Sequence, residues 1–206
     1  QNHVGALLID DELIGIIATS ECNTDLLADV DKSYFKNYPQ EVLAKITNKY
    51  KKIFIISNLA IAPEYRKSSV SNYYSTYLIG LSVMSFLQSD CEVLITITRN
   101  DRSTHKLVST YGGHSIAQQL VHNIASDVIV IERQNAINAF MALDPAILST
   151  LKILFYSVLK AKVILNNQRN FLIPENNIKK GRFKVCLEYH LGSSCDQNFS
   201  ACGRQM

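Results

Sequence analysis

The run "IFIISNLAIAP", residues 53–63, constrains the fold more than any other stretch. It is apolar apart from Ser57 and Asn58, and Pro63 stops it. Side chains alternate between the two faces of a strand, so continuous hydrophobicity means that both faces are covered. This segment is expected to be a buried strand of a sheet.

The flanking sequence supplies the rest of such a sheet. "HVGALLI" and "LIGIIATS" are apolar, β-branched runs around the acidic "DDE", the pattern of a hairpin. Residues 23–52 form a polar, mostly helical insertion interrupted by Pro39, with Val42, Leu43 and Ile46 on one helical face. Further on, Tyr74, Tyr77, Leu78, Leu81, Met84 and Phe86 recur at helical spacing, which predicts a long helix with one buried side. "CEVLITITR" reads as a strand, "RSTHKLVSTYGG" as a short helix ended by glycines, and "DVIVIER" as another strand. "SIAQQLVHN" fits a strand or a helix. From Gln134 the pattern turns helical, and Asp144 followed by Pro145 marks a helix start. "RFKVCLEYHL" is read as a late strand. The expected fold is α+β: a mixed, mostly antiparallel central sheet flanked by helices in residues 1–133, then a helical C-terminal extension with an irregular tail in residues 134–206.

Charge narrows the function classes. The 21 basic and 18 acidic residues leave a net charge of only +3. That is too weak a bias to argue for nucleic acid or a membrane surface, and the ten tyrosines do not interleave with basic residues into a stacking platform. Cys22, Cys91, Cys186, Cys195 and Cys202 contain no CxxC pair, so neither a metal site nor a disulfide framework is expected, and a reducing, cytoplasmic setting is. The most hydrophobic segment, residues 147–165, carries Lys152, Lys160 and Lys162, which argues against a transmembrane helix. The first residues lack the order of a signal peptide. The chain opens on Gln1 inside an apolar run, so a fragment or processed product with an element missing upstream is expected.

The chemistry-bearing stretch follows the central strand. "PEYRKSSVSN" sets Arg66 and Lys67 and the small residues Ser68, Ser69 and Ser71 where the long helix begins. A helix N-terminus leaves backbone N–H groups without partners and carries partial positive charge. Small residues admit a ligand's oxygens, and neighbouring cations reinforce the pull, so the arrangement suits a phosphate. A solvated turn with Ser68 as an ordinary cap fits the same residues.

With its flanks, this constellation resembles the GNAT superfamily of acyl-CoA N-acyltransferases. There a V-x-P-x-x-R strand end precedes Q/R-x-x-G-x-G/A, and "IAPEYR" followed by "RKSSVS" aligns without a gap. Arg66 takes the first position, with Ser69 and Ser71 standing where glycines are usual. The resemblance covers roughly His3 to Arg133 and includes "YGG" where "LGF" is common. It implies two central strands that splay into a V. The pantetheine of acetyl-CoA, a longer acyl-CoA or an acyl carrier protein would pair with the backbone of Leu59, Ala60 and Ile61. Its phosphate would sit on Arg66, Lys67, Ser68, Ser69, Val70 and Ser71.

"FIISNLAIAPEYR" after a long polar insertion looks nearest the branch of long-chain N-acyl amino acid synthases and acyl-homoserine lactone synthases, where the strand reads E-x-S-R-L/F-A-V. Ile55 and Asn58 replace the glutamate and arginine of that pattern. The resemblance implies acyl transfer to a small-molecule primary amine such as an amino acid. Glu21 is the candidate base through a water, against a solvated strand end. His105 is the candidate proton donor to the leaving thiolate, imidazole being a common proton-transfer group; a surface histidine fits as well. Tyr111 is the candidate general acid, against a packing tyrosine. The competing reading is a catalytically degenerate domain of the same fold that binds a partner. A homodimer through the C-terminal helices is a further expectation.

Overall fold

The buried run becomes β3 (Lys52–Ile61). The hairpin supplies β1 (Asn2–Ile9) and β2 (Glu12–Asn23). β4 (Val93–Arg99), β5 (His114–Val121), β6 (Ile124–Glu132) and β7 (Phe183–His190) complete a seven-stranded sheet of order β5-β6-β4-β3-β2-β1-β7. The five helices among the described residues are α1 (Gln40–Lys49), α2 (Ser71–Gln88), α3 (Thr104–Ser109), α4 (Arg133–Ala142) and α5 (Pro145–Asn167). This computed structural model describes residues 2–10, 12–26, 33–66, 71–167 and 183–190. Neighbouring strands are antiparallel except β3 and β4, which are parallel. The architecture is the expected α+β one.

The continuous hydrophobicity of β3 has a direct explanation in the packing. Phe54 and Ile56 join Leu94, Ile129 and Ile131 on one face, under Leu78, Ile79 and Phe86 of α2. Ile53 and Ile55 join Val93, Ile95, Val128 and Val130 on the other, under Phe35, Tyr38, Leu43 and Ile46 of the 23–52 insertion. Each such side chain, once fully buried, contributes about 1.5–3 kcal/mol relative to exposure. The insertion is thus the cover of the second face. It comprises a 3-10 turn (Ser33–Asn37) and α1.

"SIAQQLVHN" resolves as strand. Val121 pairs with Ile124, leaving a two-residue loop in which His122 and Asn123 have φ of 50° and 62°. Paired positive φ values give the tight hairpin turn whose twist matches that of the strands, and asparagine tolerates it well. β5 lies at the sheet edge, which explains its mostly exposed side chains and weak apolar signal.

Described elements beyond Gln134 pack onto the sheet and its core. Leu151, Leu154 and Phe155 of α5 enter the same core as α2, and β7 pairs along the whole length of β1. Asp144 caps α5 as expected: its Oδ1 accepts from the amides of Ala146 (2.8 Å) and Ile147 (3.3 Å). Among the described residues no helix is long and apolar enough to cross a membrane. Cys22 and Cys91 are buried and form no disulfide, and Cys195 and Cys202 lie outside the described residues.

α2 admits α5 at Gly80. A Cβ built there would meet the Tyr111 hydroxyl at 2.7 Å and both methyls of Leu151 at 2.8 Å. Gly80→Ala should therefore cost about 1–3 kcal/mol through overpacking, despite the better helix propensity of alanine. Urea denaturation of the two proteins measures the difference.

Candidate active site

β3 and β4 run side by side only at first. The parallel ladder pairs Ile53 with Val93, Phe54 with Leu94, Ile55 with Ile95 and Ile56 with Thr96, then stops. Beyond it each strand keeps its antiparallel neighbour, β3 with β2 as far as Ile61 and β4 with β6 as far as Arg99. A register shift opposite Ala18 and Thr19 leaves Ser57 as an extra residue on β3. Such a bulge bends a strand and increases its twist. The last paired carbonyl, that of Ile56, accepts from the Thr96 hydroxyl (2.9 Å) and the Tyr34 phenol (3.1 Å), which stand in for the missing ladder partner.

The divergence opens a cleft of about 350 Å³. One wall is Leu59, Ala60, Ile61 and Arg66, with Ser75 of α2 beside them; the other is Arg99, Arg102 and Thr104. Among the described residues no strand faces the β4 side of residues 57–61, so an extended ligand can hydrogen-bond to that backbone edge. Gly15 of β2 fits closely against the back of this wall, its Cβ position lying 2.8 Å from the Ala60 carbonyl.

Several bonds fix the mouth of the cleft. Arg66 Nε donates to the Ile61 carbonyl (2.6 Å), which folds the guanidinium back over the end of β3. The Ala62 amide donates to the Ile14 carbonyl (2.8 Å), and Tyr65 donates its phenolic proton to Glu12 (2.6 Å). Tyr65 also meets Tyr74 of α2 edge to face at 6.0 Å. The β1–β2 hairpin thereby clasps the short 3-10 turn (Pro63–Tyr65) that delivers Arg66.

Of the residues expected from sequence, Leu59, Ala60, Ile61 and Arg66 meet at this cleft. Lys67, Ser68, Ser69 and Val70 lie outside the described residues, and Ser71 is the first residue of α2. His105 follows Thr104 in the first turn of α3, and its buried Nδ1 has no hydrogen-bond partner among the described residues.

Glu21 and Tyr111 are not among the residues that line the cleft. Glu21 pairs with Phe54, in the part of the sheet where β3 and β4 still run together, and it acts electrostatically on Lys52 and Cys91. At about 3.4 Å per residue, Phe54 is about 17 Å along the strand from Leu59. Tyr111 is fully buried, packs on Phe140 at 5.5 Å and donates its hydroxyl proton to the Thr76 carbonyl (2.7 Å). Burial raises its pKa well above the usual phenol value, so it is a poor proton donor to a cleft it does not line.

Arg99, Arg102 and Thr104 escaped the sequence reading. Their signal was the same one that marked Arg66, cations where a strand gives way to a helix, in "TRNDRST". A second, more open depression of about 670 Å³ lies between α3 and α4. Its one charged lining residue, Asp144, is committed to capping α5. Among the described residues no group of His, Cys, Asp and Glu is arranged to hold a metal ion.

No family profile and no curated protein matches the chain. Solved structures do show a likeness. It matches a chain in the crystal structure of the NatC complex bound to Gag peptide and CoA, at 12% identity and a TM-score of 0.38 over 58% of this chain and 61% of that one. It also matches FeeM, an N-acyl amino acid synthase from uncultured soil microbes, at 16% identity and a TM-score of 0.45 over 64% and 69% of the two chains. For TofI in its apo form the figures are 14%, 0.42, 67% and 70%. The chain thus spans less than two thirds of the NatC chain that it matches.

Two measurements test these assignments. Tyr111→Phe should lower stability by about 1 kcal/mol through loss of one buried hydrogen bond, leaving ligand binding at the cleft unchanged; denaturation and calorimetric titration report the two halves. The bond to Glu12 pushes the Tyr65 phenol up to about 12 from 10.0. A raised value means that the clasp stabilises the folded chain below pH 10 and that this contribution is lost as pH rises through about 12. Glu12→Gln should move the Tyr65 transition back toward 10.0, read as tyrosinate absorbance by difference from Tyr65→Phe.

Proposed function

We propose that this protein is a GNAT-type N-acyltransferase that moves an acyl group from a pantetheine thioester to a primary amine. The observation that carries the reading is the splay of β3 from β4 after Ile56 and Thr96, with an unpaired backbone edge on one wall and Arg66 at the mouth. A pantetheine arm is an extended chain with two amides. It matches a free strand edge as another strand would, and Arg66 suits the phosphate at its end. Acetyl-CoA, a long-chain acyl-CoA and an acyl carrier protein all present this arm; an amino acid is the proposed acceptor.

In the reaction the amine nitrogen attacks the thioester carbonyl, the C–N bond forms and the C–S bond breaks. The tetrahedral oxyanion needs a donor, which a backbone N–H on the free edge of β3 supplies. The leaving thiolate needs a proton, and His105, which follows the cleft-lining Thr104 at the start of α3, is the proposed donor. No carboxylate lines the cleft among the described residues, so the proton lost by the amine goes to water. Holding the thioester and the amine together carries most of the acceleration in such a mechanism.

The missing carboxylate also favours a second reading, a domain that binds the thioester without turning it over. The C-terminal helices carry a separate proposal, a homodimer, supported by the exposure of Met141 (82%) and Tyr156 (63%) on α4 and α5.

A thermal-shift series with coenzyme A, acetyl-CoA and a long-chain acyl-CoA tests the donor. A ligand at a hundred times its Kd should stabilise the fold by about 2.7 kcal/mol, and Arg66→Ala should abolish the shift. Thiol release from acetyl-CoA with an amino acid present then separates enzyme from binding domain. Stabilisation by acyl-CoA and by an acyl carrier protein without thiol release supports the binding domain; no stabilisation by any of them rejects the donor site.

A further inference from the structure

The wall of the cleft opposite Arg66 is built more firmly than a solvated turn requires. Five hydrogen bonds hold the β4–α3 connection. The Asn100 amide donates to the Ala125 carbonyl (2.9 Å), Asn100 Nδ2 donates to the buried Asp127 carboxylate (3.0 Å), and the Ser103 amide closes the turn on the Asn100 carbonyl (3.2 Å). Arg99 then forks onto Asp101, Nε to Oδ1 at 3.0 Å and Nη2 to Oδ2 at 2.7 Å. Arg102 Nε stands 3.9 Å from the same Asp101 oxygen, beyond hydrogen-bonding distance.

The charge count follows from this geometry. Arg99 and Arg102 stand beside the Asp101 carboxylate on this wall, the Asp127 carboxylate lies buried behind it on Asn100, and Arg66 adds a cation across the cleft. The bond to Arg99 holds the Asp101 carboxyl below the usual carboxylate range, so Asp101 stays charged and paired with Arg99. Arg99 is occupied by its fork, whereas Arg102 lines the cleft with its donors uncommitted to any hydrogen bond among the described residues. The fixed turn brings Arg102 to the cleft, and its planar fork of donors suits a phosphate oxygen.

We propose that Arg102, placed by the Arg99–Asp101 fork, is a second phosphate-binding group of the cleft and determines which phosphorylated pantetheine donor the protein takes. The inference rests on the donor reading above and extends it to the opposite wall. Coenzyme A offers a diphosphate and a terminal phosphomonoester, whereas a carrier-protein arm offers one phosphate. Arg66 and Arg102 on facing walls suit a ligand with more than one phosphoryl group, which favours coenzyme A.

Calorimetric titration of the wild type, Arg66→Ala and Arg102→Ala with coenzyme A, 3′-dephospho-coenzyme A and 4′-phosphopantetheine tests this. Arg102→Ala should weaken coenzyme A binding roughly tenfold or more, the loss expected for one charge-assisted hydrogen bond. If the loss falls on coenzyme A alone, Arg102 reads the monoester; if it extends to dephospho-coenzyme A, Arg102 reads the diphosphate. An equal loss with phosphopantetheine would retain Arg102 as a phosphate ligand and overturn the preference for coenzyme A. Unchanged affinity in Arg102→Ala, with binding lost in Arg66→Ala, would overturn the inference and leave the donor reading standing. A wild type that binds none of the three removes both.

Discussion

The structure depends on a competition at one parallel pair. β3 and β4 hydrogen-bond to each other for four residue pairs, while each is also committed to an antiparallel neighbour that runs further. A bulge at Ser57 turns β3 with β2, β4 stays with β6, and the two cannot follow both partners. Antiparallel pairing is slightly stronger per residue than parallel pairing, so the parallel ladder is the one that yields. The Thr96 and Tyr34 hydroxyls satisfy the Ile56 carbonyl where it ends. The opening is therefore set by the topology of the sheet and lined by elements packed on both faces.

Function is then a matter of what the opening exposes. Its floor offers backbone donors and acceptors with no strand opposite, and its mouth offers guanidinium groups from both walls. The first property selects an extended chain with amides, the second an anionic end. The proposed pantetheine thioester combines them. In the proposed reaction the burial of Tyr111 and the distance of Glu21 leave positioning, backbone donors and one histidine to act on it.

The elements themselves were legible because their signals are local. The nearly continuous apolar run gave β3, the acidic turn gave the hairpin, helical spacing gave α2, and Asp144–Pro145 gave the start of α5. What sequence withheld depends on register. Glu21 looked close to the chemistry because it ends the second strand of the hairpin, but pairing with Phe54 sets it where the sheet is still closed. Tyr111 takes the general-acid place only if the helix is shifted against the aligned pattern, whereas the fold sets its hydroxyl against Gly80 of α2. Arg99 and Arg102 became part of the site only because β4 returns beside β3 across the 18 residues of α2. The union of α5 and β7 with the core was hidden for the same reason, since no local pattern announces that residues 183–190 will pair with residues 2–9.

The most direct test of the account is an electron-density map of the protein with a non-hydrolysable thioester analogue of coenzyme A. The account predicts density for the pantetheine arm between β3 and β4, beginning beyond Ile56 and Thr96, with its amides bonded to the backbone of Leu59, Ala60 and Ile61. Density elsewhere on the molecule, or a β3–β4 ladder that continues past Ile56 and closes the cleft, would contradict it.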